Sequence, residues 1–489
     1  MAFTTLPGAS ASDATSFIGT AGVDSIILTN VAKRIWLRAQ AAADRINIYT
    51  QWGNYSLRGG QGNDTITLTG TTAQSLVKAD RDNDIIILAS GLFVNTTING
   101  NAGDDSIILG GISGFYNSTL FGGQGNDTIN ATNATVGVLM QGDAGNDHLS
   151  GGSGIDTFLV NSGDDTITNV GQGGSDVIKI ASGASVVGSV AASWVATAAV
   201  SNQGKGTLIS GAAGININLE LASGPNGWLI QDSTGDEVLY GSALADTIHA
   251  TAGNDELRGR DGDDSLSGGS GNDQIFGNEG HDWIDGGADD DTINAGQGND
   301  TVFGGQGNDV ILGGSTGADV LDGGDGNDTI AGYSEADILT GGPGSDTFGG
   351  FESLFGVSGS SVIASSNTLT AGGISATNTI TFATSIAGNV DRVTDFSIGI
   401  DKLDVHAAST LPTNLIGIST STALTLGTTY VAYGNYNAIT GEFVMANDYD
   451  PTTPDALVMI GNGSQTAITS TGYQVLTGLA GALTAGDFV

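Results

Sequence analysis

The chain has 489 residues, 80 of them Gly and none Cys, and its 52 acidic against 13 basic side chains give a net charge of −39. That balance excludes nucleic acid and anionic membranes as partners, the lack of Cys excludes a disulfide framework, and no stretch is apolar for long enough to span a bilayer. Charged residues are only 13 %, and Ile, Leu and Val recur at fixed spacing, so the composition is that of a folded chain.

Residues 1–17 are small and polar and read as an N-terminal arm. They have neither the basic start nor the apolar core of a signal peptide, so none is expected. Residues 18–180 are periodic. Asp24, Asp44, Asp64, Asp84, Asp105, Asp127 and Asp147 recur at a long and nearly even step, and two places after each stands Ile26, Ile46, Ile66, Ile86, Ile107, Ile129 or Leu149. This predicts one solenoid coil per period, with the apolar residue of a short strand pointing inward. One side of each coil carries a glycine turn such as Gly59–Asp64 or Gly122–Asp127. The other carries a varied, cation-free turn such as Tyr116-Asn-Ser. Steps near nine follow at Asp156, Asp165 and Asp176. Asp44 comes after three alanines and is not expected to hold a cation. Lys33-Arg34-Ile-Trp36-Leu-Arg38 is a local basic exception. It reads as a solvated coil face with Trp36 packed inward or covering an end, against the sharper reading of a docking patch for an anionic glycan or acidic neighbour.

Residues 181–240 are less regular and read as a β connector. Residues 241–350 hold the strictest pattern. Asp246, Asp255, Asp264, Asp273, Asp282, Asp291, Asp300, Asp309, Asp319, Asp328, Asp337 and Asp346 are nine apart, once ten. Two places after each is Ile, Leu, Val or Phe, from Ile248 to Phe348. Most are preceded by a turn such as Gly268-Gly-Ser-Gly-Asn-Asp273. Paired glycines let the chain turn sharply. Stacked coils then set the carboxylates in rows about 4.8 Å apart, where like charges repel. A divalent cation between turns reverses that sign, and an oxygen-only ligand set selects Ca²⁺ over softer metals.

The nonapeptide period with these turns resembles the RTX (repeats-in-toxin) calcium-binding β-roll family over the whole of 241–350. The resemblance implies two nonapeptides per coil and calcium held in the turns. The side-chain ligands it implies are Asp64, Asp105, Asp127, Asp147, Asp156, Asp255, Asp264, Asp273, Asp282, Asp291, Asp300, Asp309, Asp328 and Asp346. Turn carbonyls such as those of Gly259, Gly268, Ser270, Gly277, Gly286, Gly304, Gln306, Gly323 and Asp325 would complete the sites. Asp246, Asp319 and Asp337 lack the full glycine turn and are left out. Asp236–Ser242 resembles the lead-in to such arrays, Asp391–Asp404 resembles the segment that closes them, and Leu483–Val489 resembles an uncleaved type I secretion signal. Residues 351–489 thus read as a C-terminal β-module, with strands at Gly441–Val444 and Asp455–Val458.

Neither His-Glu-x-x-His nor Gly-x-Ser-x-Gly occurs, and His148, His249, His281 and His406 are dispersed. The periodicity of 18–180 leaves no room there for a conventional catalytic domain. The expected protein is all-β: a parallel β-roll or β-solenoid in two arrays with a C-terminal β-module. It is expected to bind several Ca²⁺ ions and not to be an enzyme. It is further expected to be bacterial, exported by a type I apparatus, and to self-associate into a surface layer, sheath or filament, with a cell-surface polysaccharide as a further partner. The alternatives are a monomeric calcium-dependent adhesin or glycan-binding protein, and a solenoid polysaccharide lyase or epimerase.

Overall fold

The computed structural model describes residues 15–19, 21–29, 35–333 and 337–349, with short strands between 391 and 476. The expected secretion signal, Lys33, Arg34, most of the N-terminal arm and most of 351–489 lie outside the described residues. The chain forms two compact units, Met1–Thr247 and Ile248–Val489. No helix occurs among the described residues.

In the first unit each long period makes one coil of two strands. Arg45–Gly53, Thr65–Ala73, Ile85–Val94 and Ser106–Tyr116 stack in parallel in one sheet, and Tyr55–Gly60, Leu76–Arg81, Thr97–Ala102 and Thr119–Gln124 in another. The apolar residues predicted to point inward are in register: Ile46 pairs with Ile66, Ile66 with Ile86, Ile86 with Ile107, Ile107 with Ile129 and Ile129 with Leu149. The facing sheet supplies Leu57, Val77, Ile98, Leu120, Met140 and Phe158. All of these are fully buried. Each such side chain contributes roughly 1.5–3 kcal/mol by leaving water.

Two features differ from expectation. Residues expected to form a connector continue the same ladders: Val177–Ile180 pairs with Ser201–Asn202, Ser185–Val190 with Lys205–Ser210, and that strand with Trp228–Gln231. Trp36 does not pack inward. Strand alternation buries Ile35 and Leu37, so Trp36 between them is 57 % exposed.

In the second unit two nonapeptides make one coil. Leu257, Ile275, Ile293, Ile311, Ile330 and Phe348 form one buried ladder, and Leu266, Ile284, Val302, Leu321 and Leu339 the other. The turns need glycine in places. Gly305 has φ 113°, and a Cβ there would collide with the Gly287 carbonyl of the preceding coil. Farther on, Thr429–Asn437 pairs antiparallel with Glu442–Met445 and Asp455–Gly461, which cover the two strands expected there.

Candidate calcium centres in the turns

The anchor aspartates end each turn, where the chain enters a strand whose next inward residue is apolar. They are not solvent-facing: the anchors from Asp44 through Asp346 are at most 3 % exposed. Their burial follows from a ladder of hydrogen bonds. Along each row the N–H of one anchor donates to Oδ1 of the anchor one coil later, as from Asp44 to Asp64 at 2.7 Å, Asp64 to Asp84 at 2.6 Å, Asp105 to Asp127 at 2.7 Å and Asp127 to Asp147 at 2.8 Å. The second unit has two such ladders, one on each side. One runs through Asp255, Asp273, Asp291, Asp309, Asp328 and Asp346, the other through Asp264, Asp282, Asp300, Asp319 and Asp337. The residue before most anchors forms a second, oppositely directed ladder at the surface. There the N–H donates to the side chain one coil earlier, as in Asn308 to Asp290 at 2.7 Å and Asn299 to His281 Nδ1 at 2.7 Å. His281 is thus part of this turn ladder.

This arrangement occupies one carboxylate oxygen and leaves the other. Oδ2 of Asp44, Asp64, Asp84, Asp105, Asp127, Asp147, Asp165, Asp282, Asp291, Asp300, Asp309 and Asp328 is buried with no hydrogen-bond partner. Such an atom is costly in a protein interior. Burial accordingly pushes the carboxyls up. Asp84 and Asp291 reach about 8, Asp127, Asp165, Asp282 and Asp328 about 7, and Asp64, Asp105 and Asp309 about 6. The amide hydrogen bond pulls each back in part, and neighbouring carboxylates push further.

The surroundings of that oxygen fit a hard cation. A methyl group at Gly59 would collide with both Asp64 Oδ2 and the Ala79 carbonyl. At Gly122 it would meet Asp127 Oδ2 and the Gly142 carbonyl, and at Gly277 Asp282 Oδ2 and the Ala295 carbonyl. Each glycine therefore keeps open a cradle lined by a carboxylate and a main-chain oxygen. The predicted carbonyls of Gly277, Gly286, Gly304 and Gly323 line the cradles of Asp264, Asp273, Asp291 and Asp309. Gly259 and Gly268 form the cradles of Asp264 and Asp273 by lacking a Cβ. The carbonyls of Ser270 and Asp325 accept the N–H of Gly253 and Gly307, at 2.9 and 2.8 Å, and Gln306 pairs in register with Asp325. Oxygen donors with no competing N–H suit Ca²⁺, whose charge offsets the buried carboxylates.

The predicted aspartates are not equivalent. Asp156 accepts N–H from Val138 on Oδ1 and from Gly152 on Oδ2, at 2.8 and 2.7 Å, so both its oxygens are taken by the backbone. Asp176 and Asp246, outside the predicted set, are capped alike by Gly171 and by Ser242. Asp300 and Asp255 are in the ladder, but Ala295 and Ala250 stand where the other predicted aspartates have the cradle glycine. Asp319 and Asp337, left out on sequence, sit against Gly313 and Gly332 as the others sit against theirs.

Sequence reasoning also missed Ser75, Thr96 and Ser118. They occupy the anchor place on the other side of the first unit, two places before Val77, Ile98 and Leu120. Tyr55 N–H donates to Ser75 Oγ at 2.9 Å and Thr96 N–H to Ser118 Oγ at 3.0 Å. A neutral hydroxyl thus makes the same bond as Asp Oδ1. The shared spacing before an inward apolar residue was the available signal.

Fold and site together define a calcium-binding parallel β-roll. The family described as RTX calcium-binding nonapeptide repeat matches residues 49–70, 112–133, 141–178, 234–275, 276–311 and 313–348. The protein carries RTX repeats, and these repeats bind Ca²⁺. Among solved structures, it is similar to the AlgE6R3 subunit of the Azotobacter vinelandii mannuronan C5-epimerase, at 23 % identity over 42 % of this chain and 80 % of that one, with a TM-score of 0.16. It is also similar to a hyperactive, Ca²⁺-dependent, β-helical antifreeze protein from an Antarctic bacterium, at 16 % identity over 72 % and 89 %, with a TM-score of 0.16. No curated protein matches the chain.

Proposed function

We propose that this RTX β-roll is a non-catalytic extracellular structural subunit, exported by a type I system and folded by calcium outside the cell, where it assembles into a surface layer, sheath or filament. The observation that carries the calcium switch is the contrast between Ser75 and Asp64. A hydroxyl makes the interstrand bond without charge, so the carboxylate adds only an unmatched buried anion unless a cation joins it. In a calcium-poor cytosol that anion opposes folding, and outside the cell cation binding supplies the missing free energy.

Assembly is supported by an outward apolar column in the second unit. Trp283, Val320 and Ile338 lie in one register row through Thr301 and are 40–41 % exposed. Phe303 packs beside Trp283 with ring centroids 6.0 Å apart. An exposed apolar strip of this kind, broken only at Thr301, is characteristic of an interaction surface. Negative-stain microscopy and sizing, with and without calcium, test the reading. Ordered arrays in calcium that vanish in Trp283→Ser/Val320→Ser support it, and a monomer at all concentrations rejects it. Release of unsaturated uronate from alginate or pectin would reject the non-catalytic part.

A further inference from the structure

Seven of the 13 basic residues lie between Lys33 and Arg81, opposed there only by Asp44, Asp64 and Asp80. Two of those three carboxylates are buried in the anchor ladder. The first coils therefore carry a local positive excess in a chain of net charge −39.

Coiling concentrates it. Strands Ile35–Arg38, Tyr55–Gly60 and Leu76–Arg81 pair in parallel, with Arg38 opposite Arg58 and Arg58 opposite Lys78. All three cations are in the outward phase, since Leu37, Leu57 and Val77 are the inward ones. They form a column at steps of about 4.8 Å. Arg58 is tied to Asp80 at 3.0 Å, while Arg38 and Lys78 make no ion pair among the described residues. Trp36 is the outward residue before Arg38 on the same strand.

We propose that this face binds a linear anionic polysaccharide bearing carboxylates. A polymer whose charge repeats along its length can meet successive cations of the column. The indole offers an apolar face to the C–H side of a sugar ring and a polar N–H at its edge. The other polyanion to hand is a second copy of this chain, and it fits less well. Its surface turn row mixes Asn with Asp, and Oδ1 of each of Asn83, Asp104 and Asn126 already accepts an amide of the next coil. Copies also repel one another through their like net charge.

Calcium-loaded full-length protein is titrated with oligogalacturonate, and with neutral dextran, by calorimetry. Wild type should bind the first and not the second, with affinity falling as salt rises. Arg38→Ser/Lys78→Ser should weaken binding about tenfold, and Trp36→Ala should weaken it as well. Lys179→Ser, an exposed cation farther along the same sheet, should leave it unchanged. Circular dichroism in calcium checks that each variant is folded. Undiminished binding by the double variant overturns the proposal, including the case where calcium in the turns bridges the polymer. Equal binding of dextran overturns it too. So does a wild type that ignores oligogalacturonate yet loses self-association when the column is removed, which assigns the face to a second copy. Binding by a protein that stays monomeric leaves this inference standing while rejecting the lattice.

Discussion

The N–H of Asp291 donates to Oδ1 of Asp309, 2.8 Å away and one coil farther along. Asp309 repeats the bond to Asp328 at 2.9 Å. Each carboxylate is therefore aimed by the backbone of the coil before it, and its second oxygen is carried to the same place in every coil. The row of oxygens that a cation needs is thus a by-product of stacking. An unstacked coil has no such row, and the proposed coupling of calcium binding to folding rests on that geometry.

Chelation tests that coupling. Calcium-free protein near neutral pH should lose its β-type far-ultraviolet dichroism in one cooperative step, and added CaCl₂ should restore it. Retention of the full spectrum in excess EGTA would contradict the coupling.

Protons should partly replace calcium. Burial raises the folded carboxyls from an ordinary value of 3.8 to between about 6 and about 8. The folded state then holds protons more tightly than the unfolded one. The stability linked to this is fully present below the ordinary value and is lost as pH rises through 6 to 8. Calcium-free protein should therefore gain β-structure on acidification through that window, while its calcium affinity falls. A calcium-free fold that weakens on acidification across the same range would refute the sign.

Asp291→Asn keeps an acceptor for the Asp273 amide but removes the charge from the cradle. It should cost one bound ion, or lower affinity at that turn by at least about tenfold, and should stabilise the calcium-free fold near neutral pH. Gly286→Ala should also weaken that ion, because its methyl meets Asp291 Oδ2 and the Gly304 carbonyl. Gly111→Ala is the control, since a Cβ there meets nothing within 4 Å. Calcium titration by calorimetry reads all three, and an unchanged isotherm for Asp291→Asn would remove that residue from the ligand set.

Asp156 should answer differently. An Asn there sets an NH₂ against the N–H of either Gly152 or Val138. The unmatched donor pair should cost about 1–3 kcal/mol, equally with calcium and without it, and calcium stoichiometry should not change. Loss of one ion in Asp156→Asn would return the residue to the ligand set.

The column of Arg38, Arg58 and Lys78 shows where reading along the chain falls short. The contiguous cluster Lys33–Arg38 stood out by proximity in sequence. The surface instead joins residues a full coil apart along the chain, which the parallel register makes neighbours. Trp36 followed from strand alternation once Ile35 was known to be buried.

Much of the molecule could be written down from its period. A hydrophobic residue two places after each Asp has a single way to leave water when coils stack, so Ile46 over Ile66 required only counting, whereas Leu257 over Ile275 also needed the two nonapeptides per coil that the resemblance to RTX repeats implies. Which oxygens remain open for a cation was settled by the folded turn alone. It depends on whether an amide such as that of Gly152 swings onto the carboxylate, and on whether glycine or alanine lines the space beside it. Those are contacts across the turn and between coils, and they exist only after the backbone has closed.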